Sequence, residues 1–335
     1  MIRVTTTPGL ATVQDRGRHG ALRFGVGTAG AMDRLALAAG NLLLGNEAGA
    51  AGIEVPIFPL AARFTADCAF ALTGADCGAR LAGRELLPWS AGRARAGDEL
   101  LLGLPQGAAG LRGSRAYLAL PGGVDVPEVL GSRSTQIRGA FGGLDGRPLR
   151  VGDELRAAAA DAAHPRFPAG FGLVPPGLAL PLEVEGVPAV RVLPAAEHGC
   201  FTPGSVAAFW AGAWKITPQS DRYGYRLAGP VLKFFRPLEM LSHGIVPGVI
   251  QVPPGGQPIV QMSDAQPSGG YPKFGTVIEA DLWRLGQCPP GGRVRFVETN
   301  WDGALAALAA VEAWLAEAGR AARLWHAHAG TSLHG

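Results

Sequence analysis

The chain has 335 residues, of which 47% are hydrophobic and 17% charged, with a formal net charge of +3. That is enough apolar material for one large or two ordinary domains with real cores. The charge is mild and spread along the chain without a Lys/Arg run, so composition gives no case for a nucleic-acid or membrane-surface partner.

The opening MIRVTTTPGL carries no apolar signal region. No uncharged stretch reaches the ~18 residues that a membrane helix needs, so a cytoplasmic protein is expected. Strand-like runs follow at 3–7, 11–15, 70–74, 99–103 and 115–120. After them come 190–193, 249–252, 258–264, 276–282 and 293–298. Fifty glycines and 27 prolines punctuate these runs, as tight turns punctuate a β-rich fold. Two segments read as helices: 30–44, ending at Gly45-Asn46, and 302–318, capped by Asp302 and ending at Gly319. Too few strands are separated by helical patterns for a parallel βαβ sheet, so barrels or sandwiches are expected. The Ala/Pro-rich stretch 157–189 reads as a linker between an N-terminal lobe (1–156) and a C-terminal lobe (190–325), with 326–335 as a tail. The cysteines Cys68, Cys77, Cys200 and Cys288 have no CxxC spacing and are read as reduced thiols, with no metal site. His326 and His328 lack the further ligands a metal would need.

Two internal echoes support a two-lobed plan. GRARAGDEL (92–100) and GRPLRVGDEL (146–155) share a turn and strand start, and TVQDRGRHG (12–20) resembles TPQSDRYGYR (217–226). GVGTAG (25–30) is a literal G-x-G-x-x-G, but a dinucleotide site also requires a βαβ unit, which nothing downstream supplies. An anion site at the following helix start stays open. In QDRGR and SDRYGYR, the residues Gln14, Arg16, Asp221 and Arg222 either brace turns or bind a carboxylate or phosphate bidentately.

The densest stretch is HGIVPGVIQVPPGGQPIVQMSDAQPSGGYPK (243–273). Gln251 and Gln261 interrupt apolar strands, and a buried amide must find partners. In the loop that follows, Asp264, Gln266, Ser268 and Tyr271 surround Gly269-Gly270, a glycine pair able to turn N–H groups toward an anion. Lys273 supplies a point charge, and Asp264 is either a base or the group that orients that lysine.

At this stretch the chain resembles the C subunit of 5-oxoprolinase, within the group also called allophanate hydrolase subunit 2 or biotin-dependent carboxyltransferase-like proteins. The resemblance runs through TVQDRGRHG, GAMDRLALAAGNLLLGN, FALTGADC, YLALPGGVDVPEVLGSRST, GGLDGRPLRVGDEL, SDRYGYRLAGP, LSHGIVPGVIQVPPGGQPIV and DAQPSGGYPK. It implies a mainly β fold of two cyclophilin-like β-barrel lobes with a few peripheral helices. It also implies two partners from the same complex, the B subunit, which resembles allophanate hydrolase subunit 1, and the A subunit. The implied activity is ATP-dependent activation of 5-oxoproline by phosphorylation on the way to glutamate. ATP, with Mg, would bind this chain or its partner, and no cofactor is covalently held. The implied alternatives are half of a biotin-dependent urea or amide carboxyltransferase, and a non-catalytic regulatory partner of a kinase-inhibitor homologue. His243 in LSHG and Ala265 in DAQ resemble the 5-oxoprolinase type; the carboxyltransferase type more often has Asp and Arg there. Pro267-Ser268 replaces the usual Thr-Thr, and Tyr223 stands where Met is usual. On this resemblance Asp264, Gln266 and Ser268 would hold a small amide or lactam, and Gly269 and Gly270 its carboxylate or a phosphate. Lys273 would stabilise the charge developed in transfer.

Overall fold

The run VPAVRVLP makes the longest strand, Val187–Pro194, in which Val190 and Val192 are buried while Arg191 and Leu193 are only partly so. This alternation is what a half-buried strand requires. The strand begins a ring. It pairs with Lys273–Val277, which pairs in turn with Val249–Gln251, Ile259–Gln261, Gly224–Ala228, Ala213–Ile216 and Arg293–Glu298. The last of these returns to Val187–Pro194 in parallel register, from Ala189 opposite Arg295 to Val192 opposite Glu298, and closes a seven-strand barrel. Trp214, Tyr225, Ile250, Val260, Phe274 and Phe296 fill its core. The helix Pro203–Ala211 starts at the cap Thr202 and presses Phe209 onto Phe274 at a ring distance of 3.8 Å.

The computed structural model describes residues 1–105, 113–159, 171–236, 238 and 240–331. The chain divides into two compact units. One comprises Met1–Arg18, Asp33–Ala179 and Glu312–Gly335; the other comprises His19–Met32 and Leu180–Val311. The second holds the closed barrel. In the first, the strands form a six-stranded and a five-stranded sheet around one apolar cluster that includes Ile2, Val4, Phe64, Phe70, Leu100 and Leu118. The echoed motifs are the same turn twice. The Asp98 carboxylate accepts from Arg95 N–H at 2.8 Å and the Asp153 carboxylate from Arg150 N–H at 2.7 Å. Gly97 and Gly152 sit at φ 93° and 94°, where a side chain would be strained.

Two expected helix bounds need correction. The first helix begins at Arg34, because Asp33 takes the cap position and accepts from Ala36 N–H at 2.9 Å. With a carboxylate already on that terminus, the anion site left open for it is occupied by the chain's own charge. The last helix runs from Trp301 to Thr331, past Gly319 and through most of the expected tail. A Cβ on Gly319 would lie 3.3 Å from Arg323 Nη1 and 3.6 Å from Leu42 Cδ2, so the glycine packs within the helix, and the Ala/Arg/Leu-rich turn after it favours helix. Trp325 stacks on Phe171 at 4.8 Å, and His326 bonds the Leu43 carbonyl at 3.1 Å. In the expected linker, residues 160–170 lie outside the described residues. Of the remainder, Gly172 bridges to Ser90 and Glu183–Val184 pairs with Val187–Pro194.

Tyr117 has a pH consequence. Its buried hydroxyl accepts from Asp33 N–H at 2.8 Å and donates to Glu54 at 2.7 Å. Burial first, and then the Glu54 and Asp33 charges, push its pKa well above the usual tyrosine range. Below about pH 10 the phenol is neutral in folded and unfolded chain alike, and its contribution is fully present. Above that the unfolded chain releases a proton that the folded chain keeps, so stability falls by about 1.4 kcal/mol per pH unit. Urea denaturation between pH 9 and 11 should show this slope, and Tyr117→Phe should flatten it.

Candidate active site

The barrel strands bring one group of the sequence candidates together. Gln251 lies opposite Lys273 across neighbouring strands, and His243 lies opposite Gly269 in a short two-stranded ladder with Ser268 opposite Gly244. His243 Nε2 is 2.6 Å from Lys273 Nζ. The other ring nitrogen, Nδ1, is 3.1 Å from the Leu241 carbonyl, which can only accept. Nδ1 therefore carries the ring hydrogen, and Nε2 offers its lone pair to the lysine. Lys273 also lies 3.4 Å from Glu197 Oε1, with the two side chains 19% and 14% exposed. Gln251 is buried; its Oε1 accepts from Gln261 Nε2 at 3.0 Å, and its Nε2 makes a long 3.5 Å contact to the Tyr271 carbonyl. The Tyr271 ring is exposed.

Neither Gly269 nor Gly270 takes a left-handed φ, and Gly269 pairs in the ladder opposite His243. Both are glycine for space. A Cβ on Gly269 would lie 2.6 Å from Gln251 Nε2, and one on Gly270 3.1 Å from the Met240 carbonyl. Gly269→Ala should displace the Gln251 amide and cost about 1–3 kcal/mol. Urea denaturation reads that cost directly.

A second group sits in the same unit. Arg222 Nε and Nη2 donate to the two carboxylate oxygens of Asp264 at 3.0 and 2.9 Å, and Nη2 also reaches the Gly30 carbonyl at 2.6 Å. Asp264 N–H donates to the Arg222 carbonyl at 2.8 Å. Both residues are buried. Asp264 is thus neither a free base nor the partner of Lys273; Glu197 and His243 take that place. Asp221 accepts from Tyr223 and Gly224 N–H at 2.8 and 3.2 Å, a braced turn. Tyr223 donates its hydroxyl to Gln266 Oε1 at 2.6 Å, which leaves the Gln266 amide nitrogen as a donor. The G-x-G-x-x-G stretch lies along this loop, where Thr28 Oγ1 donates to the Ser263 carbonyl at 3.2 Å.

Gln14 and Arg16 belong to the other unit. Gln14 is buried and donates to Thr12 Oγ1 at 2.9 Å, whereas Arg16 is exposed and its stem lies against Gly49. Asp15 between them accepts from Gly17 N–H, Ser132 Oγ and Arg133 N–H at 2.8, 2.7 and 2.6 Å. The turn echoed by SDRYGYR is therefore braced in both units, and only its second copy carries a buried Arg–Asp pair.

Glu197 was not among the sequence candidates. Its context, AAEHGC, holds no motif; its one signal is an acidic residue placed just after a strong strand. Among the described residues, no three His, Cys, Asp or Glu side chains group as metal ligands would. No helix among them is long and apolar enough to cross a membrane.

Residues 24–298 match the family described as carboxyltransferase domain, subdomain A and B. The chain belongs to this carboxyltransferase-domain family. Within the family it is 41% identical to the C subunit of 5-oxoprolinase from Escherichia coli (strain K12), over 92% of this chain and 94% of that protein. It is 33% identical to the urea amidolyase of Lachancea kluyveri over 89% of this chain, which is 17% of that protein's length. A crystal structure of the Kluyveromyces lactis urea amidolyase superposes with a TM-score of 0.82 at 27% identity, covering 93% of this chain and 20% of that one. The crystal structure of TTHA0988 gives 0.74 at 31% identity, covering 88% and 55%. The carboxyltransferase-domain architecture thus accounts for the whole barrel that carries Lys273.

Proposed function

We propose that the chain is one subunit of an ATP-dependent 5-oxoprolinase, working with partner A and B subunits to convert 5-oxoproline to glutamate. The observation that carries this reading is the nearly full-length match to the C subunit of 5-oxoprolinase. The urea amidolyase relative matches as well, but this chain corresponds to only a small segment of it.

The site fits a reaction in which negative charge grows on the oxygen of an amide or lactam. Lys273 is a fixed cation in a partly enclosed position, and such a cation stabilises developing charge more than it would in water. His243 accepts from that lysine. Gln266, with Tyr223 holding its oxygen, offers its amide nitrogen to a carbonyl or carboxylate. ATP supplies the phosphoryl group that activates the lactam, on this chain or on the B subunit.

The test is reconstitution. The three subunits, purified and combined, should hydrolyse ATP in response to 5-oxoproline and release glutamate, while this chain alone stays nearly inactive. Turnover of urea with a biotinylated carrier, and none with 5-oxoproline, would replace this reading with the carboxyltransferase one.

A further inference from the structure

Glu197 lies in the short turn Ala196–Cys200 that follows Val187–Pro194. Its position is set by sheet register. Pro194 lies opposite Gly275, and Ala195 N–H donates to the Phe274 carbonyl at 3.1 Å, so the next turn falls beside Lys273. The ring of His198 packs edge-on against Phe274 at 4.8 Å and pins that turn. The Glu197 carboxylate is thereby held in a nearly closed position, with Oε2 buried and without a hydrogen-bond partner among the described residues. A carboxylate so placed is costly unless a cation balances it, and the cation within reach is Lys273.

A lysine ammonium has three N–H donors on a flexible stem. One meets His243 Nε2, and a second faces Glu197 Oε1. One is left. We propose that Glu197 is a positioning residue: with His243 it fixes the Lys273 ammonium so that the remaining N–H points at the reactant oxygen on which charge develops. This role rests on the charge-stabilising role of Lys273 in the proposed function. Glu197 itself does not touch the reactant; it converts a mobile charge into a directed donor.

The experiment uses the reconstituted complex and the isolated chain. In the complex, Glu197→Gln should lower kcat about a hundredfold, the scale of a misplaced catalytic group, with the 5-oxoproline KM held within about threefold. Glu197→Asp, which keeps the charge, should recover part of the loss. The double variant Lys273→Met/Glu197→Gln should be no slower than Lys273→Met alone, because both changes remove one unit. In the isolated chain, the acetylation of Lys273 by acetic anhydride, mapped by mass spectrometry, should quicken in Glu197→Gln. The exposed Lys215 and Lys233 serve as references. Additive losses in the double variant, a loss confined to KM, or an unchanged acetylation rate would each overturn the proposal. If the wild-type complex does not turn over 5-oxoproline, the functional reading fails, and the acetylation arm still decides whether Glu197 anchors the lysine.

Discussion

Lys273→Met is expected to lower 5-oxoproline-dependent ATP turnover of the reconstituted complex by about 10²–10³-fold, the effect of removing one charge-stabilising donor. The side chain is nearly isosteric in its stem and loses only the charge. Lys273→Arg should be milder, because the charge stays while its geometry changes. From sequence, a loop lysine is expected to contribute little to folding. Its setting differs: Lys273 begins a barrel strand and neutralises Glu197. Melting should therefore fall as well, by the equivalent of about 1–3 kcal/mol for a carboxylate left without its partner. Near-wild-type turnover would remove Lys273 from the site. Lost turnover with a collapsed melting transition would make it structural.

The largest stability effect is expected at the buried pair. Removing one partner of a buried ion pair strands the other, at about 3–5 kcal/mol. Asp264→Ala leaves the buried Arg222 guanidinium without its counter-charge, and Arg222→Ala does the same to the Asp264 carboxylate. Each single variant should shift the urea midpoint strongly. Arg222→Met/Asp264→Leu should recover much of the loss, because the desolvation penalty leaves with the charges. A general base at position 264 would behave otherwise, with Asp264→Asn abolishing turnover and leaving the midpoint in place.

What the sequence discloses depends on range. The Gly-Asp turns at Asp98 and Asp153 are legible because the carboxylate bonds a backbone N–H three residues away. Four of the seven barrel strands are legible because alternation is local; Ala213–Ile216 and Gly224–Ala228 fall outside the strand-like runs, and the run 276–282 overlaps only the end of Lys273–Val277 before the chain turns helical. The loop 263–273 is legible as a cluster of polar groups, but the partner of each group is not. Asp264 reads as a base from its loop, and only the fold brings Arg222 to it. Glu197 reaches Lys273 through the register of Pro194 with Gly275. Nothing near Glu197 in the chain announces that. Gly319 reads as a helix end, and the packing of Leu42 and Phe171 carries the helix through it.

The way the segments are shared between the units bears on how the polypeptide matures on the ribosome. The first sheet pair emerges well before Trp325, which covers Phe171. The barrel closes only when Arg293–Glu298 meets Val187–Pro194, and its unit also recruits His19–Met32 from near the start. Neither unit is complete in a nascent chain that stops between them. Long-range closure of this kind is slow, and it leaves apolar surface exposed in the meantime. Halves expressed separately should be poorly soluble, whereas co-expressed halves cut between Ala179 and Leu180 should assemble, each supplying the segment the other lacks.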